Sequence, residues 1–142
     1  MDNHFNLERF LKAQDSNNTF SGALAEIKLG RKMTHWMWFI FPQYSGLGSS
    51  STSVYYSIKS KEEAIAYWKH PQLKSRLVEI TEAILRVENR TAHEILGGPD
   101  DLKLKSSMTL FHLIQDEKDL FQKVLDKYFD GKISYRTKEL IG

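Results

Sequence analysis

Cysteine is absent from the 142 residues. Disulfides, thiolate nucleophiles and cysteine-bound zinc are therefore excluded, which suits a reducing compartment. A large charge excess is missing too, since 20 basic and 18 acidic residues leave a formal net charge of +2. Nucleic acid or an anionic membrane normally calls for a concentrated basic patch, so neither is expected as the main partner. The longest apolar run, residues 36–41, is far too short to cross a bilayer. The first residues, Met1-Asp2-Asn3-His4-Phe5, have neither the basic start nor the apolar core of a secretion signal. A cytoplasmic chain without membrane association is the expectation.

The usual catalytic signatures are also lacking. There is no phosphate loop of the Walker type, no dinucleotide glycine fingerprint and no pair of histidines spaced as in a metalloprotease. No nucleophile elbow occurs, and no serine has a base evident from its sequence neighbourhood. Gly46-Leu47-Gly48 is too short to cradle a phosphate. His4, His35, His70, His93 and His112 are widely scattered, so no metal site is expected. The sequence names no cofactor and does not decide whether the chain is an enzyme.

What is present suits one domain spanning residues 1–142. Eight Phe, six Tyr and three Trp provide ample material for a core. Apolar residues recur at helical spacing almost throughout. Leu7, Phe10 and Leu11 mark a first helix, with Asn6 as its expected cap. Phe20, Ala23, Leu24 and Ile27 mark a second, stopped by Gly30. The apolar stretch 35–41 suits a buried strand or a short buried helix by its period, and its helical surroundings favour the helix, with Thr34 as its cap. Residues 43–53, with two Gly and five Ser, predict a loop.

Ser60 and Glu63 form a capping-box pattern before Ala64, Ile65 and Trp68. Pro71 suits the first turn of the clearest helix, in which Leu73, Leu77, Ile80, Ile84 and Val87 step by three or four. Thr91 and Glu94 repeat the capping box, and Gly97-Gly98 closes that helix. Asp100 and Asp101 suit a new helix start, followed by Leu104, Met108 and Phe111. Leu120, Phe121, Val124, Leu125 and Tyr128 share a further helix, and Ser134 caps a last one. No repeat and no linker divides the chain. The expected fold is all-α, a compact single-domain bundle of roughly seven helices.

Two stretches combine polar and apolar groups densely. Arg31 and His35 stand beside Trp36, Trp38 and the flanking Gln43. The aromatics suit the core, or an indole could stack on a base or sugar while the cation and imidazole meet a phosphate. In the stretch 103–109, Ser106, Ser107 and Thr109 sit in the middle of a helix. There, hydroxyls bond back to carbonyls one turn earlier, admit a close neighbour, or face a ligand. Asp101 and Lys105 have the spacing of an ordinary surface pair.

On these residues the chain resembles the bacterial family called domain of unknown function 1810. The likeness runs through residues 7–14, 23–30, 35–43, 46–49, 56–58 and 70–77. It continues through Ile95-Leu96-Gly97, Asp101, Lys103 and residues 106–111. The His35-Trp36-Met37-Trp38-Phe39 core and the segment from Lys103 to Phe111 carry most of it. Lys105 stands where the family form often has Arg, and Trp68 where Leu is commoner. The resemblance implies an all-helical single domain and supplies no activity. Some members carry the label calpastatin, but an inhibitor of that type is a flexible repeat protein, unlike this helical, repeat-free chain.

These observations lead to one functional expectation and two alternatives. A polar or nucleotide-like small molecule would lie in a pocket between the stretches 35–43 and 103–109. Arg31 and Lys105 would contact its anionic part, and His35 would act as acid, base or donor. Gln43, Ser106 and Ser107 would orient it, with Trp36 or Trp38 as the wall. The alternative is a non-enzymatic protein-interaction module with an exposed apolar patch. RNA binding is a third option and requires Arg31, Lys32, Lys103 and Lys105 on one face. Oligomeric state is not readable from the sequence.

Overall fold

The computed structural model describes residues 4–142. Its first two helices, α1 (Glu8–Asp15) and α2 (Thr19–Leu29), are followed by a four-residue turn, α3 (Met37–Ile40). Next come α4 (Ser51–Tyr56), α5 (Lys61–Lys69), α6 (Pro71–Leu85) and α7 (Ala92–Leu96). The chain ends with α8 (Asp100–Ile114), α9 (Leu120–Phe129) and α10 (Tyr135–Ile141). Among the described residues there is no strand, only a single bridge between Tyr44 and Ile58. The architecture is all-α, as the periodicity predicts. Among the described residues ten α-helices form against the roughly seven expected; nine of them correspond to helices marked one by one in the sequence, and the tenth, α4, forms inside and just beyond the serine-rich stretch. Ser50 caps α4 by accepting from Ser53 N.

The local signals act largely as their chemistry demands. Thr91 and Glu94 satisfy each other's backbone donors at the start of α7, and Ser134 accepts from Thr137 N at α10. Gly30 ends α2 at φ +82, a left-handed turn that costs glycine little. His70 closes α5 and opens α6, its Nδ1 accepting from Leu73 N at 3.3 Å with Pro71 in the first turn.

Three boundaries differ from expectation. Asn6 does not cap α1 with its side chain; Leu7 holds that position and Asn6 lies at φ +53. Thr34 does not cap α3, because its hydroxyl and amide are both turned to Glu26. The sixth helix stops at Leu85 rather than Val87, and its orphan carbonyls are met by α9. Tyr128 Oη donates to Ile84 O at 2.6 Å, and Lys127 Nζ to Leu85 O and Val87 O. A cation at a helix C-terminus also opposes the helix dipole.

At the centre lies α8, packed against α5, α7, α9 and α10. From Leu104 onward it buries Ser106, Ser107, Met108, Thr109, Leu110 and Phe111. A helix buried on most of its circumference can carry hydroxyls only where they are satisfied or where bulk is not tolerated. Ser106 Oγ donates to Leu102 O at 3.2 Å, and Thr109 Oγ1 to Lys105 O at 2.8 Å. Thr109 Oγ1 also accepts from Ser134 N, which ties α10 to the core.

Two hydroxyls, Ser107 Oγ and Thr81 Oγ1, are fully buried with no partner among the described residues. Burying a hydroxyl without a hydrogen bond costs about 1–3 kcal/mol. A valine at position 81 keeps the branched shape of threonine and removes the polar atom. Thr81→Val should therefore stabilise the fold by about 1 kcal/mol, read as a higher thermal midpoint. A lower midpoint would mean that the hydroxyl has found a partner such as ordered water.

Candidate functional site

The stretch between α2 and α3 is organised by one carboxylate. Glu26 Oε1 accepts from Met33 N at 2.8 Å, Thr34 N at 3.1 Å and Trp36 Nε1 at 2.9 Å. Its Oε2 accepts from Thr34 Oγ1 at 2.6 Å. Burial by itself would raise this carboxyl's pKa. The hydrogen bonds outweigh it and bring the group down from 4.5 to about 2. The stretch is also pinned to α7, with Lys32 N donating to Ile95 O at 2.6 Å.

Pinned in this way, Lys32 meets the start of α8. Its Nζ lies 3.0 Å from Asp100 Oδ2, while Lys103 Nζ lies 3.2 Å from Asp100 Oδ1. The three side chains are 9, 17 and 24% exposed for Lys32, Asp100 and Lys103. One carboxylate shared by two ammonium groups leaves a local charge of +1. Each ammonium also covers an indole, with Lys32 Nζ 5.1 Å from the Trp36 ring centroid and Lys103 Nζ 5.4 Å from that of Trp38. The attraction between cation and ring holds both lysines over flat apolar surfaces.

The residues singled out in the sequence fall into distinct places. Trp36 is 1% exposed and belongs to the core, its N–H engaged by Glu26. Trp38 is half-buried, so of the two indoles it keeps the more accessible surface. Arg31 and His35 are exposed, while Gln43 and Lys105 are half-buried. Ser106 and Ser107 are buried in α8, the first bonded to its own helix and the second without a partner among the described residues. Asp101 does not pair with Lys105; its Oδ2 lies 3.3 Å from His93 Nδ1.

The stretches 35–43 and 103–109 do meet, through Lys103 over Trp38. Lys105 points elsewhere, because residues two apart on a helix lie about 200° apart around its axis. Lys103 and Lys105 therefore leave α8 on different sides of its axis. The sequence reading missed Glu26 and Asp100 as organising groups. The three-residue spacing of Asp100 and Lys103 was a readable sign of their pairing. The Lys32–Asp100 contact, across 68 positions of the numbering, left none. Among the described residues no group of three or more His, Asp or Glu is arranged to hold a metal ion. No helix among them is long and apolar enough to cross a membrane.

Comparison with known proteins agrees with the fold. The crystal structure of the conserved hypothetical protein Rv1873 from Mycobacterium tuberculosis is similar, with 47% sequence identity and a TM-score of 0.93. The likeness covers 96% of each chain. No curated protein matches the sequence. A family model described as "Protein of unknown function (DUF1810)" matches residues 4–141. With almost its whole length covered by that model, the chain belongs to the DUF1810 family.

Proposed function

We propose that the chain binds a small anionic molecule carrying a flat ring, nucleotide-like in character, between the stretch 35–43 and the first turns of α8. The observation that carries this reading is the Lys103 ammonium held 5.4 Å from the Trp38 ring centroid. A half-exposed indole offers a stacking surface, and base–aromatic stacking contributes about 1–3 kcal/mol. The two lysines sharing Asp100 leave one positive charge beside that ring for a phosphate. Lys103 takes the anion-contacting part that the sequence suggested for Lys105. Arg31 and His35, both exposed on the preceding stretch, supply a second cation and a group for proton transfer. Gln43 supplies an amide, and Ser106 and Ser107 shape the helix beneath.

Fluorescence offers a direct test, because Trp36 and Trp68 are 1 and 6% exposed whereas Trp38 is half-buried. Titration with AMP, NAD and ADP-ribose should quench the indole emission saturably, and the quench should be lost in Trp38→Phe. At a hundredfold excess over its dissociation constant, the ligand should add about 2.7 kcal/mol of stability in a thermal-shift assay. Lys103→Ala should weaken binding by about tenfold, the scale of one lost charge contact. His35→Ala should fold normally, and a reaction on the bound ligand that disappears in this variant would assign His35 to proton transfer. Absence of both quenching and thermal shift across the panel would discard the reading. It would turn attention to Leu29 and Met33, which are 79 and 72% exposed, as the start of a protein-interaction surface.

A further inference from the structure

A second concave region lies on the other elements of the bundle. Between α6, α9 and the turn 116–119 opens a cavity of about 250 Å³. Its floor is apolar, made by Trp68, Val78, Leu85 and Leu120. Trp68 is held in place by Phe121, whose ring packs edge-on at 5.5 Å. Three cations reach the rim: Arg86 from α6, Lys118 from the turn and Lys123 from α9. None of them forms a salt bridge among the described residues.

Two carboxylates share the rim, and they do not balance the cations. Glu117 is taken by Lys74 at 2.9 Å, whose ammonium lies 4.8 Å from the Trp68 ring centroid. Glu82 alone then faces three positive charges. Lys118 lies at φ +57 and Asp119 at φ +56, a left-handed conformation that non-glycine residues rarely adopt. Asn17 and Asn18 form the same doublet at φ +52 and +56 before α2, so the pair is the geometry of a tight turn between helices, and it places the Lys118 side chain at the rim.

We infer that this cavity binds a small organic anion with an apolar body, of which a ring-bearing carboxylate is the type. The volume lies below the roughly 300–1,000 Å³ of drug-sized sites, which limits the ligand to about ten to fifteen non-hydrogen atoms. The floor accepts the ring, and an aromatic ring continues the edge-on packing of Trp68 and Phe121. The planar carboxylate matches the guanidinium fork of Arg86, with Lys118 and Lys123 as point charges on either side. Inorganic phosphate would leave the apolar floor wet. This site is independent of the one proposed at Trp38, and its success or failure leaves that reading untouched.

Titration of the isotopically labelled full chain with benzoate and octanoate, followed by NMR, tests the inference. Saturable shifts are expected at the Trp68 indole N–H and at the amides of Leu120 and Lys123, with the Trp38 indole unmoved. Neutral benzamide should bind at least about tenfold more weakly than benzoate. Arg86→Gln should weaken benzoate binding by a similar factor. Lys118→Gly separates binding from folding, since it relieves the left-handed strain while deleting a rim charge. It should melt at a higher temperature than the parent and still bind benzoate more weakly. The inference is overturned by no saturable shift from either anion up to about 10 mM, well above the millimolar affinity within reach of so small a ligand. Equal affinity for benzamide, or shifts centred on Trp38, would overturn it as well.

Discussion

Replacing Arg9 by alanine should lower the stability of the fold by about 3–5 kcal/mol, the cost of leaving a buried partner charge uncompensated. Its side chain and that of Glu63 are only 5 and 3% exposed, and Nη2 lies 2.6 Å from Glu63 Oε2. All five guanidinium N–H groups have acceptors. Nε donates to Tyr55 O at 2.9 Å and Nη1 to Phe5 O and Asn6 O at 2.9 and 2.8 Å. Nη2 adds Ser57 O at 3.0 Å to the Glu63 bond. The guanidinium carbon also lies 4.3 Å from the Phe10 ring centroid. One side chain thus joins the start of α1, the end of α4 and the first turn of α5.

Without Arg9, four carbonyls and a carboxylate lose a donor together, and the low-dielectric surroundings make each loss expensive. At a slope of about 2 kcal/mol/M, the urea midpoint should fall by roughly 2 M. Arg9→Lys should recover only part of the loss, because an ammonium has three donors and no fork. The paired change Arg9→Met with Glu63→Leu should sit closer to the parent than Arg9→Ala does, since it removes both buried charges at once. A loss below about 1 kcal/mol for Arg9→Ala would show that water reaches these carbonyls.

Neither member of this pair stood out in the sequence, and the reason is physical. Periodicity detects apolar stripes, and Arg9 sits on the flank of one formed by Leu7, Phe10 and Leu11. Its acceptors are mostly backbone carbonyls, which carry no residue identity, and Glu63 lies 54 positions away. Glu63 was legible only as half of a capping box. The structure keeps one half, Glu63 N donating to Ser60 Oγ at 3.0 Å. The carboxylate turns instead to Lys59 N at 2.8 Å and to Arg9. By contrast, Thr91 with Glu94, Pro71 and Gly30 all act within four residues of themselves. Such short-range devices can be read from a sequence, and they placed most of the helices.

The site was legible to a lesser degree, for the same reason. The aromatic stretch and the lysine-serine helix were visible as unusual compositions. Their meeting at Trp38 and Lys103 depends on Lys32, Asp100 and Glu26, which are partners only in three dimensions. Which indole lies inside also depends on Glu26, since its carboxylate draws in the Trp36 N–H.

Glu26 carries the second large expected effect. Glu26→Ala removes an acceptor from two backbone amides, a hydroxyl and an indole N–H, and should cost about 2–4 kcal/mol given the strength of hydrogen bonds to charged groups. Glu26→Gln can keep three of those bonds on its carbonyl oxygen and turn its amide to Thr34, so it should cost about 1 kcal/mol. The two variants should also separate by pH. The folded carboxyl titrates at about 2 against an ordinary 4.5. Its contribution is therefore fully present above pH 4.5 and is lost as the pH falls towards 2. Parent stability should drop across that window, and Glu26→Gln should show a shallower drop over the same range. Denaturant midpoints measured at several pH values through the window provide the check. Because residues 31–36 carry Lys32 to Asp100, Glu26→Ala should also weaken any nucleotide-like ligand at Trp38 although Glu26 does not touch it. Full affinity in a destabilised Glu26→Ala protein would show that the Lys32 N to Ile95 O bond positions the stretch by itself.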